Sequence, residues 1–139
     1  MVDVNSLLAS WLRTIAALVQ VLPARGDTQS VYAVDLPSDF DPTLGPAIVV
    51  DAEGGLSEPE VQGIANVRFQ VRILADVGEA MLARSVYSAL YDNCNGKGNV
   101  SLAGIGTILS FYEITPPQEL SDPDVHWATL IVFFQMIAR

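Results

Sequence analysis

The chain has 139 residues, 50% of them hydrophobic, with sixteen acidic and seven basic residues and a formal charge of −9. That length supports a genuine core, expected as one domain over 1–139, and the composition argues against disorder over most of it. The acidic balance argues against a protein that grips phosphate backbones, which needs a clustered basic patch.

The first predicted element is a helix over 4–22, "VNSLLASWLRTIAALVQVL". Val4, Leu7, Leu8, Trp11, Leu12, Ile15, Leu18, Val19 and Leu22 recur at the spacing of one helical face. Asp3 or Asn5 can cap its start, and Pro23 followed by Gly26 ends it. Trp11 should face a sheet. The opposite face lacks the lysines and arginines of a membrane-surface helix. "SVYAVDL" then reads as a short strand, "PSDFDPTLGP" as a loop, "AIVVDA" (47–52) as a strand and "EGGLSEPEVQG" as a second loop.

Strand 65–75 contains "NVRFQVRILAD", in which Val67, Phe69, Val71 and Ile73 alternate with Arg68, Gln70 and Arg72. Two of the seven basic residues therefore stand on one outward face. A helix over 78–93 follows, with Ala83, Val86, Tyr87, Leu90 and Cys94 on one side. "NCNGKGN" reads as its stop and a flexible turn. It lacks the spacing of a phosphate-binding loop and follows a helix where that motif precedes one.

Strands are expected at 105–114 and 125–137, separated by a third loop, "TPPQELSDPD". The last strand is apolar on both faces. Trp127, Ile131, Phe133 and Ile137 line one, and Ala128, Leu130, Val132, Phe134 and Met136 the other. Helices can cover one face; the second needs more sheet or another chain. The fold class is α+β, a mainly antiparallel sheet packed on one side by two helices.

The single Cys94 rules out an intramolecular disulfide. With His126 the only histidine, a structural zinc site is not expected. Cys94 reads as a small packed residue. In "SDPDVH", Asp122, Asp124 and His126 alternate and would share one side of an extended chain, as ligands of a divalent metal do. The plainer reading is a turn rich in Asp and Pro. Glu53, Glu58 and Glu60 read as a solvated loop, and no nucleophile motif pairs with His126. No catalytic residue, cofactor or metal is assigned. No basic export segment precedes the first helix, and "ATLIVFFQMIA" is too short to span a bilayer as a helix, so a protein made in a cytoplasm is expected.

One pattern spans 66–139: the strand "VRFQVRILAD", the helix "GEAMLARSVYSALYDN", a glycine turn, then "IGTILSFYEITPPQELSDPDVHWATLIVFFQMIAR". It resembles the tail terminator (tail completion) proteins of long-tailed bacteriophages, the family of the phage lambda tail terminator. The resemblance implies a structural virion protein without catalysis. It implies a homo-hexameric ring that docks on the last ring of tail tube protein and stops tube growth. The ring presents a surface to the head-completion or connector protein, and DNA passes only transiently through the lumen. No membrane is involved. Under that resemblance Arg68, Arg72, Trp127, Phe133 and Phe134 are the candidate inter-subunit residues. An acidic chain suits a lumen that repels phosphates. Other neck or head-closure proteins share the fold class and size. A small metal- or ligand-binding subunit, using Asp122, Asp124 and His126, and an interfacial membrane binder through helix 4–22 are the remaining alternatives.

Overall fold

The computed structural model describes residues 3–25, 28–57, 64–120 and 127–139. The first helix is capped by Asp3, whose carboxylate accepts from the Ser6 amide at 3.3 Å and the Ser6 hydroxyl at 2.8 Å. Asn5, the other cap candidate, does something else: its Oδ1 accepts from the Ala52 amide at 2.9 Å.

The expected single helix over 4–22 is two, α1 (Val4–Thr14) and α2 (Ala16–Val21), separated by Ile15 in an extended conformation. No proline or glycine causes the break. The Thr14 hydroxyl donates to the Trp11 carbonyl at 2.6 Å, the kind of local side-chain bond that competes with the helical ladder. The break rotates the apolar stripe. Leu18 and Leu22 stay buried, but Val19 is exposed, and α2 packs on the third helix rather than continuing over the sheet.

A short ribbon of β1 (Ala24–Arg25) and β2 (Thr28–Gln29) leads into β3 (Val31–Ala33). A 3-10 turn, Pro42–Leu44, precedes β4 (Ala47–Ser57), which is followed by β5 (Ala65–Asp76) and α3 (Ala80–Cys94). β6 (Val100–Leu102), β7 (Gly106–Leu120) and β8 (Trp127–Ala138) complete the chain. The six-stranded sheet has the order β3-β4-β5-β8-β7-β6. Only the β3–β4 pair is parallel, so the expected mainly antiparallel α+β architecture is what the chain forms.

α1 and α3 cover one face of this sheet, and α2 packs on α3. Beneath them lie Ile48 and Val50 of β4, Phe69 and Val71 of β5, and Leu130, Val132, Phe134 and Met136 of β8. Phe111 stacks on Phe134 with centroids 4.6 Å apart, and Trp11 meets Phe111 edge-on at 5.3 Å. Trp11 thus faces the sheet as expected. Each such aromatic pair adds about 0.5–1.5 kcal/mol beyond its buried area.

Two expected loops, 53–63 and 115–124, are strand over their described residues, 53–57 and 115–120. β4 runs on to Ser57 through an irregularity between Ala52 and Gly55, and Asn5 satisfies the Ala52 amide freed there. β7 runs on to Leu120 through Pro116 and Pro117. Those prolines sit where the register with β8 slips between Thr115 and Gln118, on a stretch of β7 beyond the reach of β6. Proline is tolerated there because no ladder partner asks for its missing N–H. Arg84 of α3 ties this distal stretch down through Glu119 at 2.6 Å.

The "NCNGKGN" segment is a clasp, where a flexible turn was expected. Gly96, at φ 77°, donates its amide to the Phe111 carbonyl at 2.8 Å. The Phe111 amide donates in turn to the Lys97 carbonyl at 3.0 Å. Gly98 lies so near β7 that a Cβ there would sit 2.4 Å from the Leu109 carbonyl oxygen.

Candidate interface on the outer sheet face

The period-two geometry of β5 and β8 sends alternate side chains to the helix-free face. Register places Arg68 opposite Gln135, Gln70 opposite Phe133, Arg72 opposite Ile131 and Asp76 opposite Trp127. Arg68, Arg72, Trp127 and Phe133 therefore share one surface. Phe134 does not. It is fully buried on the helix side against Phe111, so the expectation that it lines an inter-subunit surface is corrected. Its neighbour Phe133 takes the outward position because side chains alternate.

The outer face has two zones. One is roofed by the chain's own segment 34–46. Phe40 packs edge-on against Trp127 with centroids 5.3 Å apart. Arg72 donates from Nη2 to the Val34 carbonyl at 3.2 Å, and its Nε is buried without a hydrogen-bond partner. Ala47, Val49 and Leu74 are buried here although no helix covers them. Arg72 is thus a strut holding the segment in place, and Trp127 is largely spoken for.

The second zone is open. The Arg68 guanidinium lies 4.4 Å from the centroid of Phe133, a cation–π contact worth about 0.5–1 kcal/mol at an exposed site. Its Nε is 3.9 Å from a Glu53 carboxylate oxygen, with the two side chains 50% and 36% exposed. An ion pair this long and wet contributes well under about 1 kcal/mol. Beside them, Asn66 and Gln135 hydrogen-bond across the strands. Tyr112 and Ile114 of β7 are 44% and 41% exposed. A half-covered apolar strip with one loosely held cation is a surface able to receive another protein.

Other candidate groups fall elsewhere. Asp122, Asp124, His126, Glu58 and Glu60 lie outside the described residues. Among the described residues no group of three or more His, Cys, Asp or Glu is arranged to hold a metal, and no helix is long and apolar enough to cross a membrane. Cys94 is fully buried, and burial pushes its thiol up to about 12 against a smaller opposing pull from Lys97. Tyr87 donates its hydroxyl to Glu113 at 2.5 Å, and burial followed by that bond raises its pKa. This pair pins α3 to β7. Sequence reading passed over Phe40 and Val34; an aromatic inside the Asp- and Pro-rich "PSDFDPT" was the available signal.

No protein-family model matches this sequence, and no curated protein matches it. The structure is similar to a chain in a solved structure of the virion of a native gene transfer agent (GTA) particle. The TM-score is 0.57 at 16% identity, over 91% of this chain and 94% of that one. This is a likeness of fold. It extends over nearly the whole length of both chains, so the shared architecture includes the segments before residue 66 as well as the part that carries the sequence resemblance.

Proposed function

We propose that this chain is a structural virion protein that forms a ring at the head-proximal end of a phage tail tube. There it ends tube growth and offers a surface for head joining. In this reading the ring is a homo-hexamer, its partners are the tail tube protein and the head-completion or connector protein, and DNA passes through its lumen. The chain is made in the host cytoplasm and performs no catalysis.

The observation that carries the proposal is the outer sheet face. A strip containing Phe133, Ile131 and Ile137 is covered neither by the helices nor fully by the 34–46 segment. Repeated copies in a ring supply a cover of the kind obligate interfaces provide. The near full-length likeness to a chain of a virion particle supports the structural class. The charge of −9 suits a pore through which a polyanion slides.

The test is copurification with assembled tails followed by negative-stain imaging. A cap of density at the head-proximal end of each tail is the expected result. Presence on tail-less heads and absence from tails would move the protein to the head-closure class, which the same fold serves equally well. Absence from both would overturn the virion reading.

A further inference from the structure

We infer that the open zone of the outer sheet face receives the acidic 35–44 segment of a neighbouring copy, with Arg68 as the cation that draws in Asp35 and Asp39. The inference rests on the ring reading and names the surface that closes the ring.

Three observations carry it. The first is charge. Arg68 is exposed and, among the described residues, its ion-pair partner is Glu53 at 3.9 Å, while Arg84 is held by Glu119 at 2.6 Å and Arg13 by the Val31 carbonyl at 2.7 Å. Asp35 and Asp39 are both exposed. Asp41 is excluded, because its carboxylate caps the 3-10 turn by accepting from Thr43. The second is apolar match. Leu44, at the end of that turn, is 64% exposed, while Phe133, Tyr112 and Ile114 leave apolar surface on the strip. A short segment bearing carboxylates beside one exposed leucine is complementary to a strip bearing an arginine beside aromatic and branched side chains.

The third observation concerns what the sheet forbids. The free edge of β7 is the obvious place for a second chain to add a strand. Pro116 and Pro117 lie on that edge, and proline there blocks edge-to-edge pairing. Strand addition along this edge is therefore disfavoured, and the exposed face beside it is the surface on this side of the sheet that a second copy can use. The donor segment and the receiving strip are different patches of one molecule, so the contact is head-to-tail, and repetition of such a contact closes a ring when the rotation allows.

The test is disulfide trapping on assembled tails. Leu44→Cys and Gln70→Cys are combined in a Cys94→Ser background, with each single-cysteine chain as control. Under mild oxidation the double variant should give a ladder of linked species larger than a dimer, and the controls should not. Charge exchange is the independent arm: Arg68→Asp should abolish capping of tails, and Asp39→Arg in the same chain should restore it. Tails that are capped without any cross-link and without rescue would overturn this inference and leave the terminator reading standing. Linked dimers only would overturn the head-to-tail arrangement. If the wild-type chain does not cap tails at all, the ring reading fails and this inference fails with it.

Discussion

Arg72 donates to the carbonyl oxygen of Val34 at 3.2 Å, and Val34 stands at φ 71°, in the left-handed region that branched side chains avoid. The Val34 amide donates to Val50 at 2.8 Å, so both backbone groups of this residue are engaged on the sheet. The chain accepts a strained turn in order to lay the 34–46 segment across its own outer face.

The strain should be removable. Val34→Asn keeps the backbone bonds and introduces a residue that tolerates this conformation, and little apolar burial is lost because Val34 is 42% exposed. A gain of about 1 kcal/mol is expected, or a rise in Tm of roughly 3–4 °C. An unchanged or lower Tm would show that the turn carries no such strain.

The two outward arginines should separate cleanly. Arg72→Ala releases the segment and should cost about 1 kcal/mol, the low end for a charged donor because an unpaired buried Nε is removed with it. Arg68→Glu should leave stability within about 0.5–1 kcal/mol, since its own contacts are exposed. On the proposed ring reading, Arg68→Glu should nonetheless stop tail capping. Urea unfolding of both variants, beside a count of capped tails, checks the pair; a large loss of stability in Arg68→Glu would make it another strut.

The clasp glycines should rank by what surrounds them. Gly98→Ala drives a Cβ to within 2.4 Å of the Leu109 carbonyl oxygen, a backbone atom that cannot step aside. A cost of about 2–3 kcal/mol is expected. Gly96→Ala meets nothing within 4 Å and only the φ of 77° opposes it, for about 1 kcal/mol. Equal losses in urea titrations would contradict the clasp.

Alkaline pH should destabilise the fold in two stages. Cys94 and Tyr87 both hold their protons more tightly when folded, mainly because burial disfavours the anion. Their contributions are complete below the unfolded values and are lost as pH rises above them. Stability should therefore fall from about pH 9, where an unfolded thiol ionises, and more steeply above about pH 10, where an unfolded phenol joins it. Cys94→Ala should remove the first stage and Tyr87→Phe the second, read as Tm against pH. A flat profile between pH 9 and 11 in the wild type would refute both assignments.

Much of the architecture was readable because alternation and helical spacing report burial directly. Val67, Phe69, Val71 and Ile73 announced one inner face, and Ala83, Val86, Leu90 and Cys94 another. What escaped reading depends on tertiary context. Pro116 and Pro117 look like loop residues and become strand only because β6 stops short of them. Thr14 and Ile15 carry no breaker signal; the helix breaks where packing on α3 rewards it. The candidate surface was half legible. Arg68 and Arg72 stand four residues apart on the same face of β5, yet only the position of Val34 makes one a strut and leaves the other available. Alternation puts the adjacent Phe133 and Phe134 on opposite faces of β8, but only the packing of the helices shows which of the two faces is buried.

Cys94 is the chain's one cysteine, and it is sealed beneath α3 at 0% exposure. An enclosed, protonated thiol neither exchanges with glutathione nor pairs with another copy. The folded polypeptide therefore keeps its thiol in one form in reducing and oxidising surroundings alike. Copies of it assembled together would be held by non-covalent contacts alone, and those contacts would not depend on the redox state of the medium.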